Sequence, residues 1–258
     1  MLFARFRYGD RESYGLLEGD RLRLIEGDLL REHHILGDSV PLSEATLLAP
    51  VHPEKILAAA VNYRSHAPVG RRLLKLEQPP AIPQLFFKPA SSIIGPEEAI
   101  VLPAGAGRVE LEGELVAVIG RRCRGVLPEE ALAYVFGYTC GNDVSARDWQ
   151  RDDLQWWRAK GCDTFAPIGP FIATGLDPTN LELRSRLNGR EAQRTNTGAL
   201  IYSVADLISF ASRVLTLAPG DLLFTGTPGE TPALSPGDVV EVEIEGIGLL
   251  RNPVVSVA

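Results

Sequence analysis

Residues 109–119 constrain the fold most, because they place Glu112 and Glu114 in a stretch that is otherwise typical of a buried strand. Strand side chains alternate between faces, so the carboxylates of Glu112 and Glu114 point the same way. Val116 and Val118 follow on that face, which predicts that the strand enters the core. Like charges at this separation repel one another unless a cation, a proton or water screens them.

A cation is the more specific interpretation of the two glutamates. Asp143 follows later in the chain and could complete a set of three carboxylates. An all-oxygen set of this kind suits Mg²⁺ or Mn²⁺. The alternative is a solvated strand face, and Glu110 extends the acidic stripe as an exposed edge would. Spacing alone favours the solvated face.

Composition and charge exclude several classes of protein. The 258 residues are 45% hydrophobic and 23% charged, which is ordinary for a globular chain. A net charge of −7 argues against a nucleic-acid surface. The chain has no apolar run long enough to span a bilayer, so we expect a cytoplasmic protein without a membrane partner. Three cysteines without CxxC spacing favour neither a disulfide framework nor a zinc site.

Gly-Asp pairs recur through the first forty residues, with short alternating segments between them. This pattern is typical of a β-meander. It predicts a small amino-terminal β domain over residues 1–50 and a main domain over residues 51–258. We expect His33, His34 and His52 to lie in loops.

In the main domain, predicted strands outnumber predicted helices. Strands are predicted at residues 55–61, 85–88, 110–119, 169–174, 181–187, 222–225 and 239–244. Helices are predicted over residues 128–135 and over residues 203–215, where Ser203 can cap the first turn. The Pro-Gly-Asp repeats at 219–221 and 236–238 predict turns that start strands. The fold class is therefore α+β, β-rich and with few helices.

Several motifs occur in an order that resembles the fumarylacetoacetate hydrolase family. They lie at residues 62–66, 112–114, 142–148, 160–170, 187–189, 223–228 and 237–248. The resemblance runs from about residue 55 to the end of the chain. It implies a mixed β-sheet roll or barrel and a Mg²⁺- or Mn²⁺-dependent enzyme. It also implies a small 2-oxo or 2-enol acid as substrate, and a homodimer.

In this family the positions of Glu112, Glu114 and Asp143 hold the metal. Three carboxylates leave coordination sites open, to which the carboxylate and the neighbouring enolate oxygen of a substrate can bind. The metal would then stabilise the enolate that isomerisation, decarboxylation and cleavage share.

Lys160 matches a family lysine that reaches the reacting centre, where its ammonium could polarise a carbonyl or transfer a proton. The alternative is a surface lysine. Only four of the 26 Lys and Arg residues are lysines, so a lysine at this position favours a catalytic role.

His66 matches a family histidine on a loop that closes over the site, and the alternative is an exposed histidine without a role. Family members commonly carry an acid two or three residues later, but this chain has Pro68 and Val69. The nearest acid downstream is Glu77. Activation of water by His66 is therefore in doubt, whereas enolate chemistry without an attacking water is less affected.

Arg147 and Gln150 correspond to family positions near the substrate. Arg147 lies four residues after Asp143, which on a helical turn would put both side chains on one face. The alternative role for Arg147 is a structural ion pair with Asp143 or Asp148.

Lys88 and Thr227 complete the residues that the resemblance places at the substrate. Lys88 matches a lysine that projects toward the cleft after a buried strand, and its alternative is a cation at a strand end. Thr227 lies in a Thr-Gly-Thr-Pro-Gly turn whose threonine binds the substrate carboxylate in the family.

The first functional hypothesis is an isomerase or decarboxylase of 2-oxo or 2-hydroxydienoic dicarboxylic acids in aromatic catabolism, with 2-hydroxyhepta-2,4-diene-1,7-dioate among the substrates. Chain length and the missing acid after His66 favour it. The alternatives are a hydrolase of acylpyruvates such as fumarylpyruvate, an oxaloacetate decarboxylase or tautomerase, and a catalytically silent ligand-binding relative.

Overall fold

The structure is a computed structural model, and it describes residues 1–66, 68 and 80–257. The strands in these residues are β1 (Leu2–Tyr8), β2 (Arg11–Glu18), β3 (Arg21–Gly27), β4 (His33–Pro41), β5 (Thr46–Leu48), β6 (Ile56–Ala60), β7 (Gln84–Lys88), β8 (Ile93–Ile94), β9 (Ile100–Leu102), β10 (Val109–Glu110), β11 (Gly113–Ile119), β12 (Val135–Asn142), β13 (Ser145–Ala146), β14 (Ala166–Ala173), β15 (Glu182–Leu187), β16 (Arg190–Asn196), β17 (Leu222–Phe224), β18 (Val239–Ile244) and β19 (Gly248–Ser256). The α-helices are α1 (Pro128–Ala131), α2 (Arg147–Asp152), α3 (Trp157–Gly161) and α4 (Val204–Ser212). Single 3₁₀ turns lie at Leu42–Glu44, Arg64–His66, Ala90–Ser92, Leu132–Tyr134 and Thr197–Ala199.

Two large sheets organise these strands. The larger has twelve strands, in the order β4-β3-β2-β1-β14-β12-β11-β17-β6-β7, with β5 paired to β1 and β8 paired to β14. The smaller has the order β16-β15-β18-β19-β9, and its strands β15, β18 and β19 contact β11, β12 and β14 of the larger sheet. Most pairings are antiparallel, and the mixed, β-rich α+β architecture is the one that the sequence predicts.

β11 lies at the centre of the larger sheet, and both of its faces are buried. Leu115 and Ala117 belong to the cluster between the two sheets, whereas Val116 and Val118 belong to a second cluster on the opposite face. This alternation follows from strand geometry. Since Glu114 shares the face of the two valines, its carboxylate also points into the interior.

The predicted strand over residues 110–119 is divided into β10 and β11. The division occurs because the intervening backbone takes other partners: the Leu111 N–H donates to the Pro232 carbonyl (3.3 Å), and the Glu112 N–H donates to Asn142 Oδ1 (2.8 Å). β10 pairs with β13 outside the main sheet. The other predicted strands of the main domain all overlap observed ones.

The predicted turns and helices follow from identifiable hydrogen bonds. Asp221 Oδ2 accepts from the Ala218 N–H (2.7 Å), and Asp238 Oδ2 accepts from the Ser235 N–H (2.7 Å). Each Pro-Gly-Asp repeat therefore closes a turn directly before a strand, as predicted.

Ser203 caps α4 as predicted. The predicted 128–135 helix is shorter than expected, because it changes to a 3₁₀ turn after α1. In the described part of the chain, no helix is both long and apolar enough to cross a membrane.

The predicted amino-terminal meander is present as β1 to β4. Its first strand pairs with β14 of the main sheet, with Leu2 opposite Ala173 and Phe3 opposite Ile172. The placement of His33 and His34 in loops is wrong, because both lie in β4, an edge strand with only one buried residue, Val40, and therefore little apolar alternation. The division into residues 1–50 and 51–258 stays a prediction.

β12 is a buried strand that the sequence analysis missed, since glycines interrupt its apolar pattern. One of them, Gly141, lies where an added Cβ would come 2.4 Å from Val116 Cγ2 and 2.6 Å from the Phe224 ring. The two side chains leave no room for a larger residue between these strands.

We expect the Gly141→Ala variant to lose about 1–3 kcal/mol of unfolding free energy, because its methyl group overpacks a buried interface. Urea unfolding followed by circular dichroism measures this loss. Gly37→Ala is the matched control, since a Cβ at Gly37 meets no atom within 4 Å. Equal stability of the two variants would contradict the packing argument.

Candidate active site

Three buried carboxylates converge where β11 begins and β12 ends. Gly113 pairs with Asn142 across the two strands, which brings the flanking residues side by side. The Asp143 N–H also donates to the Glu112 carbonyl (2.9 Å). As a result, Glu112, Glu114 and Asp143 each place an oxygen within 4.8 Å of the others. The structure therefore brings together the three predicted metal ligands.

The charged groups that contact these acids show whether a divalent cation fits among them. Glu112 and Asp143 each contact a lysine, but among the described residues Glu114 accepts only the Gly226 N–H (2.7 Å). Burial, together with the charges of Asp143 and Glu112, raises the pKa of Glu114 well above its usual range. A carboxylate in this position lacks a cationic partner. The oxygen donors and the unbalanced charge therefore fit a divalent cation.

Lys160 lies in α3, and its ammonium bridges two of the carboxylates. Its Nζ donates to Glu112 Oε2 (2.6 Å) and to Asp143 Oδ2 (2.6 Å). Burial alone would lower the pKa of Lys160, but Asp143 and Glu112 outweigh burial and raise it. Lys160 is therefore a buried, charged group at the carboxylates and not a surface lysine.

Lys88 is the last residue of β7, and its side chain is fully buried. Nζ donates to Asp143 Oδ1 (2.5 Å) and to the Lys160 carbonyl. Burial lowers the pKa of Lys88, and the charge of Asp143 offsets this only in part. Lys88 thus holds both a carboxylate and the backbone of the second lysine in place.

Arg147 begins α2, and its ion pairs differ from the predicted ones. Its Nε donates to Glu110 Oε2 (2.6 Å), and a terminal nitrogen donates to Glu112. The predicted pairing with Asp143 or Asp148 is wrong, because Asp143 lies before β13 and is not on a helical turn with Arg147.

Glu110 is a second correction, since the sequence suggested an exposed strand edge and the residue is only 1% exposed. Besides Arg147, its carboxylate accepts hydrogen bonds from Arg108 and Thr231. The acidic stripe and the nearby Arg108 were visible in the sequence, but the buried cationic partner, Arg147, lies 37 residues away. Glu110 anchors Arg147 beside the three carboxylates.

Gln150 and Thr227, the other predicted substrate residues, are both engaged within the protein. Gln150 Oε1 accepts from Arg147 (2.8 Å). The Thr227 hydroxyl donates to the Gly113 carbonyl (3.0 Å) and accepts from Gln193 Nε2 (2.8 Å). Gln193 was missed because it is the one buried residue of β16, a mostly exposed strand. The roles of Gln150 and Thr227 toward a substrate stay predictions.

His66 lies in a 3₁₀ turn and is 6% exposed, so it is not an exposed loop histidine. Its Nδ1 is 2.5 Å from the Gly229 carbonyl, and its Nε2 is 3.7 Å from Glu112 Oε1. Since a carbonyl only accepts hydrogen bonds, Nδ1 carries the hydrogen and Nε2 keeps its lone pair. Burial lowers the pKa of His66 despite the nearby Glu112, which favours the neutral imidazole. Glu77, the acid considered as its partner, lies outside the described residues.

Comparisons with known proteins agree with this geometry. The family model described as fumarylacetoacetate (FAA) hydrolase, C-terminal, matches residues 55–255, and one described as Rv2993c-like, N-terminal, matches residues 1–50. The rat protein named oxaloacetate tautomerase Fahd2a, mitochondrial, is 40% identical over 84% of this chain and 71% of its own.

Solved structures from two mycobacteria cover nearly the whole chain. The 5-carboxymethyl-2-hydroxymuconate delta-isomerase of Mycobacterium smegmatis has a TM-score of 0.92 and 42% identity over all of both chains. The 2-hydroxyhepta-2,4-diene-1,7-dioate isomerase of Mycobacterium marinum has a TM-score of 0.91 and 41% identity, over 99% of this chain and 98% of its own.

A more distant structure carries a metal. The maleylpyruvate hydrolase of Sphingobium sp. SYK-6, solved in complex with manganese (II) ion and pyruvate, has a TM-score of 0.82 and 30% identity over all of both chains.

We expect Glu114→Gln to weaken Mn²⁺ binding by at least about tenfold, because the variant removes one of three charged ligands. Isothermal titration calorimetry of the purified protein measures the affinity. Glu110→Gln is the matched control, since Glu110 is equally buried but lies outside the carboxylate cluster. Wild-type Mn²⁺ affinity in Glu114→Gln would exclude this cluster as the metal site.

Proposed function

The chain belongs to the fumarylacetoacetate hydrolase family, and from this membership we propose that it is a divalent-metal-dependent isomerase or tautomerase of 2-oxo dicarboxylic acids. The proposal includes Mg²⁺ or Mn²⁺ held by Glu112, Glu114 and Asp143. The reaction moves a proton within the substrate and breaks no carbon–carbon bond.

One observation carries this proposal: a proton acceptor and a proton donor flank the same carboxylate. His66 Nε2 lies 3.7 Å from Glu112 Oε1, and the Lys160 ammonium contacts Glu112 Oε2 at 2.6 Å. A neutral imidazole accepts a proton, and a charged ammonium donates one. A substrate bound beside Glu112 would therefore have a base and an acid within one site.

These residues suffice for a balanced proton shift. When bound, the divalent cation would supply the positive charge that makes a proton next to a carbonyl more acidic. His66 Nε2 takes that proton from carbon, and Lys160 Nζ delivers a proton to the carbonyl oxygen or to a more distant carbon. His66 then releases its extra proton to solvent, and Lys160 takes up a proton from solvent. The enzyme is thereby regenerated without another reactant.

The similar proteins support the choice of substrate class. The mycobacterial proteins and the rat protein are named as isomerases and a tautomerase, and each molecule in those names carries at least two carboxylates. We therefore propose oxaloacetate or a hydroxydienoic diacid of aromatic catabolism as the substrate.

A hydrolase of acylpyruvates is the second candidate, and the same imidazole favours it. His66 Nε2 could take a proton from water in place of carbon, and the Sphingobium protein is named as a hydrolase of a related acid. Both reactions convert this imidazole to an imidazolium, so the neutral Gly229 carbonyl as its partner does not separate them. The names of the more similar mycobacterial proteins, at 42% and 41% identity against 30% for the Sphingobium protein, favour the proton shift over hydrolysis.

We also propose that the protein is a cytoplasmic homodimer. The homodimer rests on the family resemblance, and the location rests on the sequence pattern. Light scattering of the purified protein would give its mass directly, and a monomer at micromolar concentration would contradict the dimer.

We expect this protein to catalyse deuterium uptake or double-bond migration in D₂O without producing fragments. Proton NMR with Mn²⁺ would follow oxaloacetate, 2-hydroxyhepta-2,4-diene-1,7-dioate, fumarylpyruvate and acetylpyruvate, each against the uncatalysed rate and against an EDTA control. EDTA-sensitive release of pyruvate and a carboxylic acid from an acylpyruvate would favour the hydrolase. Release of pyruvate and carbon dioxide from oxaloacetate would favour a decarboxylase.

We expect Lys160→Met to lower kcat on the accepted substrate on the order of 10²-fold or more, because the proton donor is lost. The same variant should bind Mn²⁺ as tightly as wild type or more tightly, since the ammonium no longer occupies oxygens of Glu112 and Asp143. Steady-state kinetics and calorimetry separate the two effects. Full activity in Lys160→Met would remove Lys160 from the mechanism.

A further inference from the structure

A buried polar side chain outside the catalytic set connects the two halves of the site. Gln193 of β16 is 5% exposed and lies between the start of β11 and the turn formed by residues 225–229. Its Oε1 accepts from the Gly113 N–H (3.1 Å) and from Ser185 Oγ (2.8 Å). Its Nε2 donates to Thr227 Oγ1 (2.8 Å) and to the Pro228 carbonyl (2.6 Å).

Two backbone groups fix the orientation of this amide. The Gly113 N–H can only donate, so the atom that faces it is Oε1. The Pro228 carbonyl can only accept, so the atom that faces it is Nε2. All four hydrogen-bonding positions of Gln193 are thus used in a single arrangement.

This orientation also determines what the Thr227 hydroxyl does. Since its oxygen accepts from Gln193 Nε2, its hydrogen is directed to the Gly113 carbonyl (3.0 Å). A hydroxyl has one hydrogen to donate. In this arrangement the Thr227 hydroxyl completes a chain of hydrogen bonds from Gln193 to the Gly113 carbonyl.

Gly113 lies between Glu112 and Glu114. The hydrogen bonds of Gln193 and Thr227 to Gly113 therefore connect the segment that carries these two carboxylates to the 225–229 turn. A further contact between the two segments does not involve Gln193: the Gly226 N–H donates to Glu114 (2.7 Å). The position of that N–H depends on where the turn is held. Thr225 holds the start of the turn, through its N–H (3.1 Å) and its hydroxyl (2.9 Å) to the Leu115 carbonyl, and Gln193 and Thr227 hold the rest of it against Gly113.

We propose that Gln193 is a positioning residue that sets the 225–229 turn against the carboxylate set, through the Thr227 hydroxyl and the Pro228 carbonyl. The placement of the turn is a property of the protein without ligand. The consequence for ligand affinity rests on the proposed function, because it assumes that the carboxylates bind a metal and that the metal binds an acid.

The first test is amide hydrogen exchange by NMR on the full chain without metal, in wild type, Gln193→Met and Ser185→Ala. We expect Gln193→Met to accelerate exchange about tenfold at Gly113, whose acceptor is lost, and also at Gly226, which Gln193 does not contact. Ser185→Ala is the matched control, since it removes a bond to the same Oε1 but leaves the turn in place. Unchanged exchange at Gly226 in Gln193→Met would overturn the proposal.

A second variant covers the case in which Gln193→Met does not fold. Gln193→Asn keeps the amide but is one methylene too short to reach Gly113 and Pro228 together. We expect the same acceleration at Gly226 in Gln193→Asn. Protection of Gly226 equal to wild type in this variant would overturn the proposal as well.

The second test measures oxalate binding to the Mn²⁺-loaded protein by calorimetry. We expect Gln193→Met and Thr227→Val each to weaken oxalate about tenfold, and the double variant to lose little more than either, because both act through one link. Additive losses would show that the two side chains act independently and would overturn the shared link. If wild type does not bind oxalate, the proposed function fails, and the exchange at Gly226 alone decides the role of Gln193.

Discussion

Mutual repulsion among three buried carboxylates is the constraint on which the rest of the site depends. Burial removes the water that would otherwise screen Glu112, Glu114 and Asp143, so each must be compensated by the protein, by a proton or by a bound cation. Lys160 and Lys88 compensate two of them. Among the described residues, neither lysine contacts Glu114, so its carboxylate is the one whose charge the protein leaves uncompensated.

Local chemistry predicted the parts of the fold that depend on neighbouring residues. The two Pro-Gly-Asp turns and the Ser203 cap are examples, since each closes a hydrogen bond within three residues. The carboxylate set was also predictable, because alternation brought two acids together and the family motif supplied the third. Division of the predicted 110–119 strand was not, since it depends on Asn142, thirty residues away.

Contacts between residues that are far apart in sequence explain the remaining wrong predictions about the site. The ion pairs of Arg147 reach back to Glu110 and Glu112, and His66 is oriented by a carbonyl 163 residues later in the chain. No spacing rule connects such residues. The sequence identified Lys160 and His66 as chemically important, but only the assembled sheets show which nitrogen holds the lone pair and which acid lies beside it.

The pairing of β1 with β14 has a consequence for aggregation. β14 is buried along its whole length, and an uncovered apolar edge of this kind would offer backbone groups to any other extended chain. The meander pairs with part of that edge and moves the free edge of the sheet outward to β4, where exposed and half-buried residues predominate and only Val40 is buried. The backbone groups of β14 that pair with β1 are therefore not free to pair with another chain, although the first forty residues contribute no group to the carboxylate cluster.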